Sequence, residues 1–204
     1  MIRRAELVKK QNAKFIMMDM LTVGFSGMQT LAKENKRLKL VIHGHRAMHA
    51  ALTRNREHGI SMMVLADIAR LTGIDSLHIG TGIGKMETGI QEVHEISEEI
   101  DENFVKETRR RLQQNWYGMK PVLSVCSGGL HPGHVPFLIK HLGINISIQM
   151  GGGIHGHPSG TEAGATAARQ AVSASLKRIS LGKYAKTHWE LRDALRKWEP
   201  DELR

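Results

Sequence analysis

Short apolar segments alternate with longer amphipathic segments along most of the chain. The apolar segments are bounded by polar or glycine residues, which predicts buried strands at 15–20, 38–42, 76–80, 121–126 and 144–150. Apolar residues at helical spacing predict helices between and after them, at 28–37, 46–57, 61–71, 93–114, 134–141 and 163–179. The predicted order is a strand followed by a helix, repeated along the chain.

This alternation indicates a parallel sheet, because parallel neighbours need a crossover connection and a helix is the usual one. An open doubly wound sheet and a (β/α)8 barrel both fit the order. Every predicted strand, however, ends in polar or glycine residues. A barrel recruits its site from the ends of many strands, whereas an open sheet uses one switch point. We therefore predict an α/β fold, namely a partial (β/α)8 TIM barrel.

The predicted strand–helix units number about five, whereas a closed barrel of this class needs about eight. The chain also opens on a helix-like segment, as if an earlier unit preceded it. We assign the units to barrel strands 4 to 8, in a single partial barrel domain over residues 1–204. The tail after Leu181 is predicted to form one more amphipathic helix on the outside.

The segment His43-Gly44-His45-Arg46 stands at a predicted strand end, with His49 one helical turn after His45. Arginine offers a fixed fork of donors to phosphate oxygens, and histidine titrates near neutral pH. These residues are suited to phosphate and proton handling. A metal site is the alternative, since His45 and His49 have i, i+4 spacing, but a third ligand is lacking. We expect no metal ligands here.

A glycine-rich segment, His78-Ile79-Gly80-Thr81-Gly82-Ile83-Gly84-Lys85, lies at the end of the third predicted strand, 76–80. It does not match a Walker A loop, because the glycine spacing is wrong and Met86 follows the lysine. Glycines permit hinge motion, which favours a mobile lid that delivers Lys85 to a substrate. The alternative is an ordinary loop with a solvated lysine.

The last two predicted strands are followed by glycine runs, Ser127-Gly128-Gly129 and Gly151-Gly152-Gly153. Glycine lets backbone N–H groups approach an anion closely, and barrels often bind phosphate after strands seven and eight. We predict a phosphate cradle here, although tight turns also need glycine. The nearby histidines are interpreted as loop or cap residues because their spacing is wrong for metal binding: His131, His134, His155 and His157.

The formal net charge of +9 would suit nucleic acid, an anionic membrane or a phosphorylated substrate. Aromatic residues make up only 4% and the basic residues are scattered, so a nucleic-acid surface is not predicted. Cys126 is the only cysteine and is expected to be a buried, inert residue of a cytoplasmic protein. No apolar run is long enough to predict a membrane segment.

Four motifs occur in a fixed order: HGHRAMHA, HIGTGIGKME, SVCSGGLHPGH and QMGGGIHGHPSG. Together they resemble the C-terminal half of the ribulose-bisphosphate carboxylase/oxygenase large subunit, and the archaeal type more than the plant type. The likeness covers nearly the whole chain. It implies a lyase that fixes CO₂ onto ribulose 1,5-bisphosphate to give 3-phosphoglycerate, in nucleotide salvage for the archaeal type.

The resemblance also implies roles for single residues. It makes His45 the active-site histidine near the reacting carbons, and Lys85 the lid lysine that stabilises the carboxylate formed from CO₂. Substrate phosphates would be bound by two groups of residues, at one end Arg46, His78 and Ser127, and at the other the turn of Gly128 and Gly129 with Gly151 and Gly152.

The family's Mg²⁺ is held by a carbamylated lysine and two acidic residues in a Lys-Asp-Asp-Glu run, and that run does not occur in this sequence. The family's N-terminal domain is also expected to be missing. We therefore expect a chain that is inactive alone, that pairs with the missing N-terminal half or a second chain, and that joins a dimer-based homo-oligomer.

Two departures from the plant pattern, Thr88 and Ser159, leave the phosphate residues intact. One alternative function is a carboxylase-like enolase or isomerase of sulfur salvage, whose members usually change the lid lysine. The other is a non-catalytic fragment that binds a partner chain.

Overall fold

The computed structural model describes residues 1–55, 57–84 and 89–199. The strands in this part are β1 Phe15–Asp19, β2 Val41–His45, β3 Ser76–His78, β4 Phe104–Val105, β5 Gln114–Asn115, β6 Leu123–Ser127 and β7 Ile146–Gln149. The helices are α1 Ile2–Lys10, α2 Met20–Val23, α3 Phe25–Leu38, α4 Ala50–Thr53, α5 Met62–Thr72, α6 Ile90–Asp101, α7 Val135–Leu142, α8 Gly152–His155, α9 Gly160–Leu176, α10 Leu181–Ala185 and α11 Trp189–Trp198. None of these described helices is both long enough and apolar enough to cross a membrane.

The main sheet has five parallel strands in the order β1-β2-β3-β6-β7. The register pairs Asp19 with His45 and His43 with Ser76, so three strand ends come together at one edge. Strands β4 and β5 form a separate antiparallel ribbon. The predicted α/β class and all five predicted strands are confirmed.

Strand β2 begins and ends later than predicted. Helix α3 continues to Leu38, and Lys39 then adopts a left-handed conformation with φ of 56°, its N–H bonding to the carbonyl of Asn35. The helix end therefore occupies Leu38 and Lys39, which were predicted to begin the strand. As a result His43 and His45 lie inside β2, not after it.

The predicted helix at 93–114 is wrong beyond Asp101, where α6 ends. The buried guanidinium of Arg70 donates to the carbonyl oxygens of Glu99 and Glu102 at 2.8 and 2.7 Å. These are carbonyls that a continuing helix would have bonded internally, so Arg70 satisfies the helix end. Arg70 also lies 4.4 Å from the ring centre of Trp116, which fixes the returning ribbon. Periodicity alone could not reveal this side-chain cap.

The predicted helix at 46–57 is also too long, since Ala50–Thr53 is the helical part of its described residues. The tail contains two helices, α10 and α11, where one was predicted. Ser180 begins α10 by accepting a hydrogen bond from the Lys183 N–H. Residues 186–188 separate α10 from α11.

The chain divides into two compact units. The first consists of Met1–Ile79 and Glu95–Val125, with a core that includes Ile42, Leu65 and Leu77. The second consists of Gly80–His94 and Cys126–Arg204, of which residues 80–84, 89–94 and 126–199 are described. Its largest apolar cluster joins α7 and α9 to the two C-terminal helices through Val135, Ala171, Ala174, Leu181, Leu191 and Leu195.

In the second unit, α8 packs closely on α9. A Cβ atom placed on Gly164 would collide with the carbonyl oxygen of Ile154, so only glycine permits this approach. Other small residues continue the same face of α9, namely Ala163, Ala167, Ala171 and Ala174. The position of the short helix after β7 is therefore set by the packing of α9.

Candidate functional site

The first unit gathers polar side chains at the carboxyl ends of β1, β2 and β3. Residues i and i+2 of a strand face the same side, so His43 and His45 project together from β2. Their neighbours in register are Asp19 on one side and Ser76 on the other. This placement brings three histidines into one array, because His78 ends the adjacent β3.

The imidazole of His45 is held by a carboxylate. Its Nδ1 lies 2.5 Å from Oδ1 of Asp19. A carboxylate can only accept, so Nδ1 carries the hydrogen and Nε2 is left to accept or release a proton. Asp19 therefore fixes both the tautomer and the orientation of His45.

The other two histidines are linked to each other. The Nε2 atoms of His43 and His78 lie 2.8 Å apart, and Nδ1 of His43 lies 2.8 Å from the Ser76 hydroxyl. Burial, and secondarily the charge of His45, lowers the pKa of His43. A neutral His43 can donate to one neighbour and accept from the other. The ring centre of His78 also lies 4.8 Å from that of His45, which completes the array.

Arg46 adds a buried positive charge directly after β2. The residue is only 6% exposed, and its Nη1 donates to the carbonyl of Ile79 at 3.2 Å. Burial, with a smaller contribution from the Arg46 charge, lowers the pKa of His49 to about 4. Nδ1 of His49 lies 2.9 Å from the hydroxyl of Thr53, within hydrogen-bond distance. The predicted anion-binding and proton-handling residues of this unit thus lie side by side.

In the second unit, the described glycines of the glycine-rich loop adopt a backbone conformation that favours glycine. Gly80, Gly82 and Gly84 all have positive φ, at 107°, 61° and 80°. At Gly82, a Cβ would also lie 2.6 Å from the Cα of Ile90. Lys85, the predicted lid residue, lies outside the described residues.

The turn after β6 lies against the base of this loop. Gly128 and Gly129 have φ of 133° and 65°, and a Cβ on Gly84 would lie 3.1 Å from the Gly128 carbonyl oxygen. Ser127 is the last residue of β6. The segment that leads to Lys85 therefore starts beside the predicted phosphate turn.

The glycines after β7 fall into two kinds. Gly153 is buried, and a Cβ there would collide with the carbonyl of Leu130. A Cβ on Gly151 or Gly152 would meet no heavy atom within 4 Å beyond its own chain neighbours, and Gly151 has an ordinary φ of −82°. Neither backbone strain nor described protein packing explains these two glycines. Open space above their backbone is what a bound anion would need.

The other residues named from the sequence differ in their surroundings. His155, the last residue of α8, contacts Thr161, and His157 bonds to the carbonyl of Glu190 at 2.9 Å. Burial raises the pKa of the Cys126 thiol to about 12, which agrees with an inert core residue. The other two histidines, His131 and His134, lie together near a carboxylate.

Two partners in the first unit were not assigned roles of their own from the sequence. His43 was named only as part of the segment suited to phosphate and proton handling, and Asp19 was not named. The signal that links them to the site is the register between strands. Once β2 is known to run to His45, the alternation of β2 and its parallel neighbours identifies both.

Comparison with known proteins gives a consistent result. The family model of the ribulose bisphosphate carboxylase large chain, catalytic domain, matches residues 1–198. The ribulose bisphosphate carboxylase of Methanosarcina mazei is 48% identical over 97% of this chain and 47% of its own length. That of Methanocaldococcus jannaschii is 47% identical over 98% and 47%. The chain spans about half the length of the curated relatives it matches.

Solved structures agree. Dimeric archaeal Rubisco from Hyperthermus butylicus has a TM-score of 0.88 and 44% identity, covering 96% of this chain and 46% of that one. A crystal structure of archaeal Rubisco gives 0.90 and 43%, with coverage of 96% and 46%. These likenesses confirm the predicted partial-barrel fold class and the archaeal-type resemblance. The chain therefore belongs to the ribulose bisphosphate carboxylase large-chain family.

Proposed function

We propose that this chain is the phosphate-binding and lid-bearing part of a ribulose-1,5-bisphosphate carboxylase, which fixes CO₂ to give 3-phosphoglycerate. The observation that carries the proposal is the array of His43, His45 and His78 beside the buried Arg46, at the ends of adjacent parallel strands. A phosphorylated substrate that must lose and gain protons needs a cation that binds its phosphate and a histidine that exchanges protons. Membership of the ribulose bisphosphate carboxylase large-chain family supports the carboxylase reaction as that chemistry.

Phosphate binding is assigned to residues in each unit. In the first unit, Arg46 and His78 offer N–H donors at the sheet edge, and burial strengthens their interaction with an anion. In the second unit, Ser127 with Gly128 and Gly129 offers a turn of positive φ, and Gly151 and Gly152 offer uncovered backbone. The open space above the last two is the feature that supports a ligand there.

Proton transfer is assigned to His45. With Nδ1 held by Asp19, Nε2 is the atom that would exchange a proton with the substrate. Lys85 is assigned to the charge that develops on the incoming CO₂, because a cation on a closing loop stabilises that charge while water is excluded.

The family's Mg²⁺ does not fit this chain. Mg²⁺ prefers an octahedral set of oxygen ligands. The one group in the described part of the chain that could hold a metal offers two imidazole nitrogens and one carboxylate. We therefore assign the Mg²⁺ ligands to the half of the relatives that this chain does not match, and expect the chain to be inactive without that half.

The partner is proposed to be that remaining half. Strand β1 ends the sheet with Phe15 and Met17 exposed by 67% and 66%. Near β7 at the other end, an apolar groove of about 690 Å³ is lined by residues that include Ile144, Ile146, Ile148, Met150, Val172 and Leu176. Exposed apolar edges of this kind require a covering strand. We propose that strands from the other half cover them, in a cytoplasmic homo-oligomer built on dimers.

The test is reconstitution in trans. The chain is co-expressed with the complementary half of the Methanosarcina mazei relative, and incorporation of labelled CO₂ into 3-phosphoglycerate is measured. We expect activity from the pair, none from either half, and a loss of at least about 100-fold for Lys85→Ala in the pair.

Two results would contradict the proposal. A pair that co-purifies without fixing CO₂ would favour the non-catalytic, partner-binding function. A pair that enolises or isomerises a thiolated sugar phosphate instead would favour the sulfur-salvage function. Wild-type activity of Lys85→Ala would overturn only the role assigned to Lys85 and would leave the rest of the proposal standing.

A further inference from the structure

We propose that His131, His134 and Glu199 form a binding site for a transition-metal dication such as Zn²⁺. One potential ligand atom from each residue lies within 4.8 Å of the other two. All three residues belong to the second unit, and none takes part in the proposed phosphate or proton chemistry. The site is thus independent of the carboxylase proposal.

The distances fit a metal better than they fit hydrogen bonds. Oε1 of Glu199 lies 3.5 Å from Nε2 of His131 and 3.8 Å from Nε2 of His134. Hydrogen bonds between nitrogen and oxygen lie at about 2.7–3.2 Å, so both separations are too long. Ligand atoms around a tetrahedral Zn²⁺ lie about 3.3 Å apart, given bonds near 2.0–2.1 Å. The two nitrogen-to-oxygen separations are therefore near those between the ligands of one ion. The rings of His131 and His134, whose centres lie 3.6 Å apart, would have to move apart to share it.

The chemistry of the three side chains suits a dication. An imidazole binds a metal through an unprotonated ring nitrogen. A dication would supply a positive charge that faces the carboxylate of Glu199.

The surroundings hold the three side chains in place. A Cβ on Gly133 would collide with Cγ of Glu199, so glycine between the two histidines makes room for the carboxylate. The ring of His131 stacks on Trp198 with centres 5.6 Å apart and an angle of 7°. Helix α11 ends at Trp198, which presents Glu199 to the turn at 131–134. An ion would thus tie the end of α11 to that turn.

The ligand set selects the type of ion. Two imidazole nitrogens and a carboxylate are the three protein ligands of many open zinc sites. Imidazole also suits Co²⁺, Ni²⁺ and Cu²⁺, whereas Mg²⁺ and Ca²⁺ prefer oxygen. Co²⁺ is the useful probe because its visible absorption reports coordination geometry.

The experiment titrates the full, tag-free chain with Co²⁺ at pH 7.5 and follows both visible absorption and binding heat. We expect one ion per chain, an absorption typical of four- or five-coordinate Co²⁺, and displacement by Zn²⁺. Glu199→Gln and His131→Asn should each weaken binding more than tenfold. His141→Gln and Glu162→Gln, which change the same residue types outside the cluster, should not.

The proposal fails if Co²⁺ does not bind, or if Glu199→Gln and His131→Asn bind it as tightly as the wild type, since the ion would then lie elsewhere. Circular dichroism checks the fold of each variant. His134 is buried, so His134→Asn is not used alone, whereas the half-exposed Glu199 can change without a buried defect. The two tests are separate: loss of Co²⁺ binding in these variants does not decide whether the reconstituted pair fixes CO₂.

Discussion

The imidazole Nδ1 of His45 lies 2.5 Å from the carboxylate of Asp19, across the register that joins β2 to β1. This contact leaves the other ring nitrogen of His45 to exchange protons. It belongs to the parallel pairing of two strands, so the geometry of the proposed proton donor is built into the sheet.

Asp19→Asn should lower the turnover of the reconstituted enzyme by about 10- to 100-fold with little change in KM. The asparagine amide can donate as well as accept, so Nδ1 of His45 need no longer carry the hydrogen. The imidazole then also adopts the other tautomer. The measurement is kcat and KM for ribulose bisphosphate across pH. Asp193→Asn, a substitution at the C-terminal helix, serves as control. An unchanged kcat would contradict the assignment of proton transfer to a His45 that Asp19 holds in place.

Arg46→Lys should raise the KM for ribulose bisphosphate by about tenfold while the chain stays folded. Lysine keeps the charge but loses the planar fork that matches phosphate oxygens. The control is Arg37→Lys, because Arg37 forms exposed ion pairs with Glu6 and Glu34. Steady-state kinetics at varied substrate make the comparison. Equal KM values in both variants would contradict the assignment.

Gly151→Ala should mainly lower substrate affinity, whereas Gly153→Ala should mainly lower stability. A methyl group on Gly151 enters open space, so stability should change by no more than about 0.5 kcal/mol while substrate affinity falls. A methyl group on Gly153 collides with the Leu130 carbonyl and should cost about 1–3 kcal/mol. Urea unfolding of the chain and substrate binding to the reconstituted enzyme report the two effects. A large stability loss for Gly151→Ala would remove the argument for a ligand above it.

Asp67 should make stability depend on pH. Burial, and then the charge of Glu99, raises the pKa of the Asp67 carboxyl to about 7. An unfolded chain releases this proton near pH 3.9, at about the ordinary value. The folded state thus holds more protons between about pH 4 and 7, and this contribution to stability is lost as pH rises through 7.

Asp67→Asn should therefore raise the urea midpoint at pH 8 more than at pH 5. The exposed Glu162→Gln should shift neither. The pKa of Glu99 is raised as well, also mainly by burial, so some pH dependence should persist in the variant. A wild-type midpoint that stays constant from pH 5 to 8 would show that Asp67 is ionised in the folded state.

Sequence patterns predicted the strands and the parallel sheet because buried strands carry continuous apolar runs. They also marked Arg46 and His45 by position after a strand. They did not predict that α6 stops at Asp101, because the cause is Arg70, a side chain on another helix. Nor did they link Glu199 to His131, since residues far apart in the chain meet only through the packing of α11. Local periodicity carries no such information.

The fit of α8 against Gly164 has a consequence for how the enzyme could be altered. The carbonyl of Ile154 lies where a side chain on Gly164 would stand, so the position of α8, which follows Gly151, depends on a residue in the second turn of α9. Under the proposed function, affinity for substrate would then depend on Gly164, although Gly164 is not one of the proposed phosphate-binding residues. Selection for tighter binding could act on the helix and leave the glycines as they are.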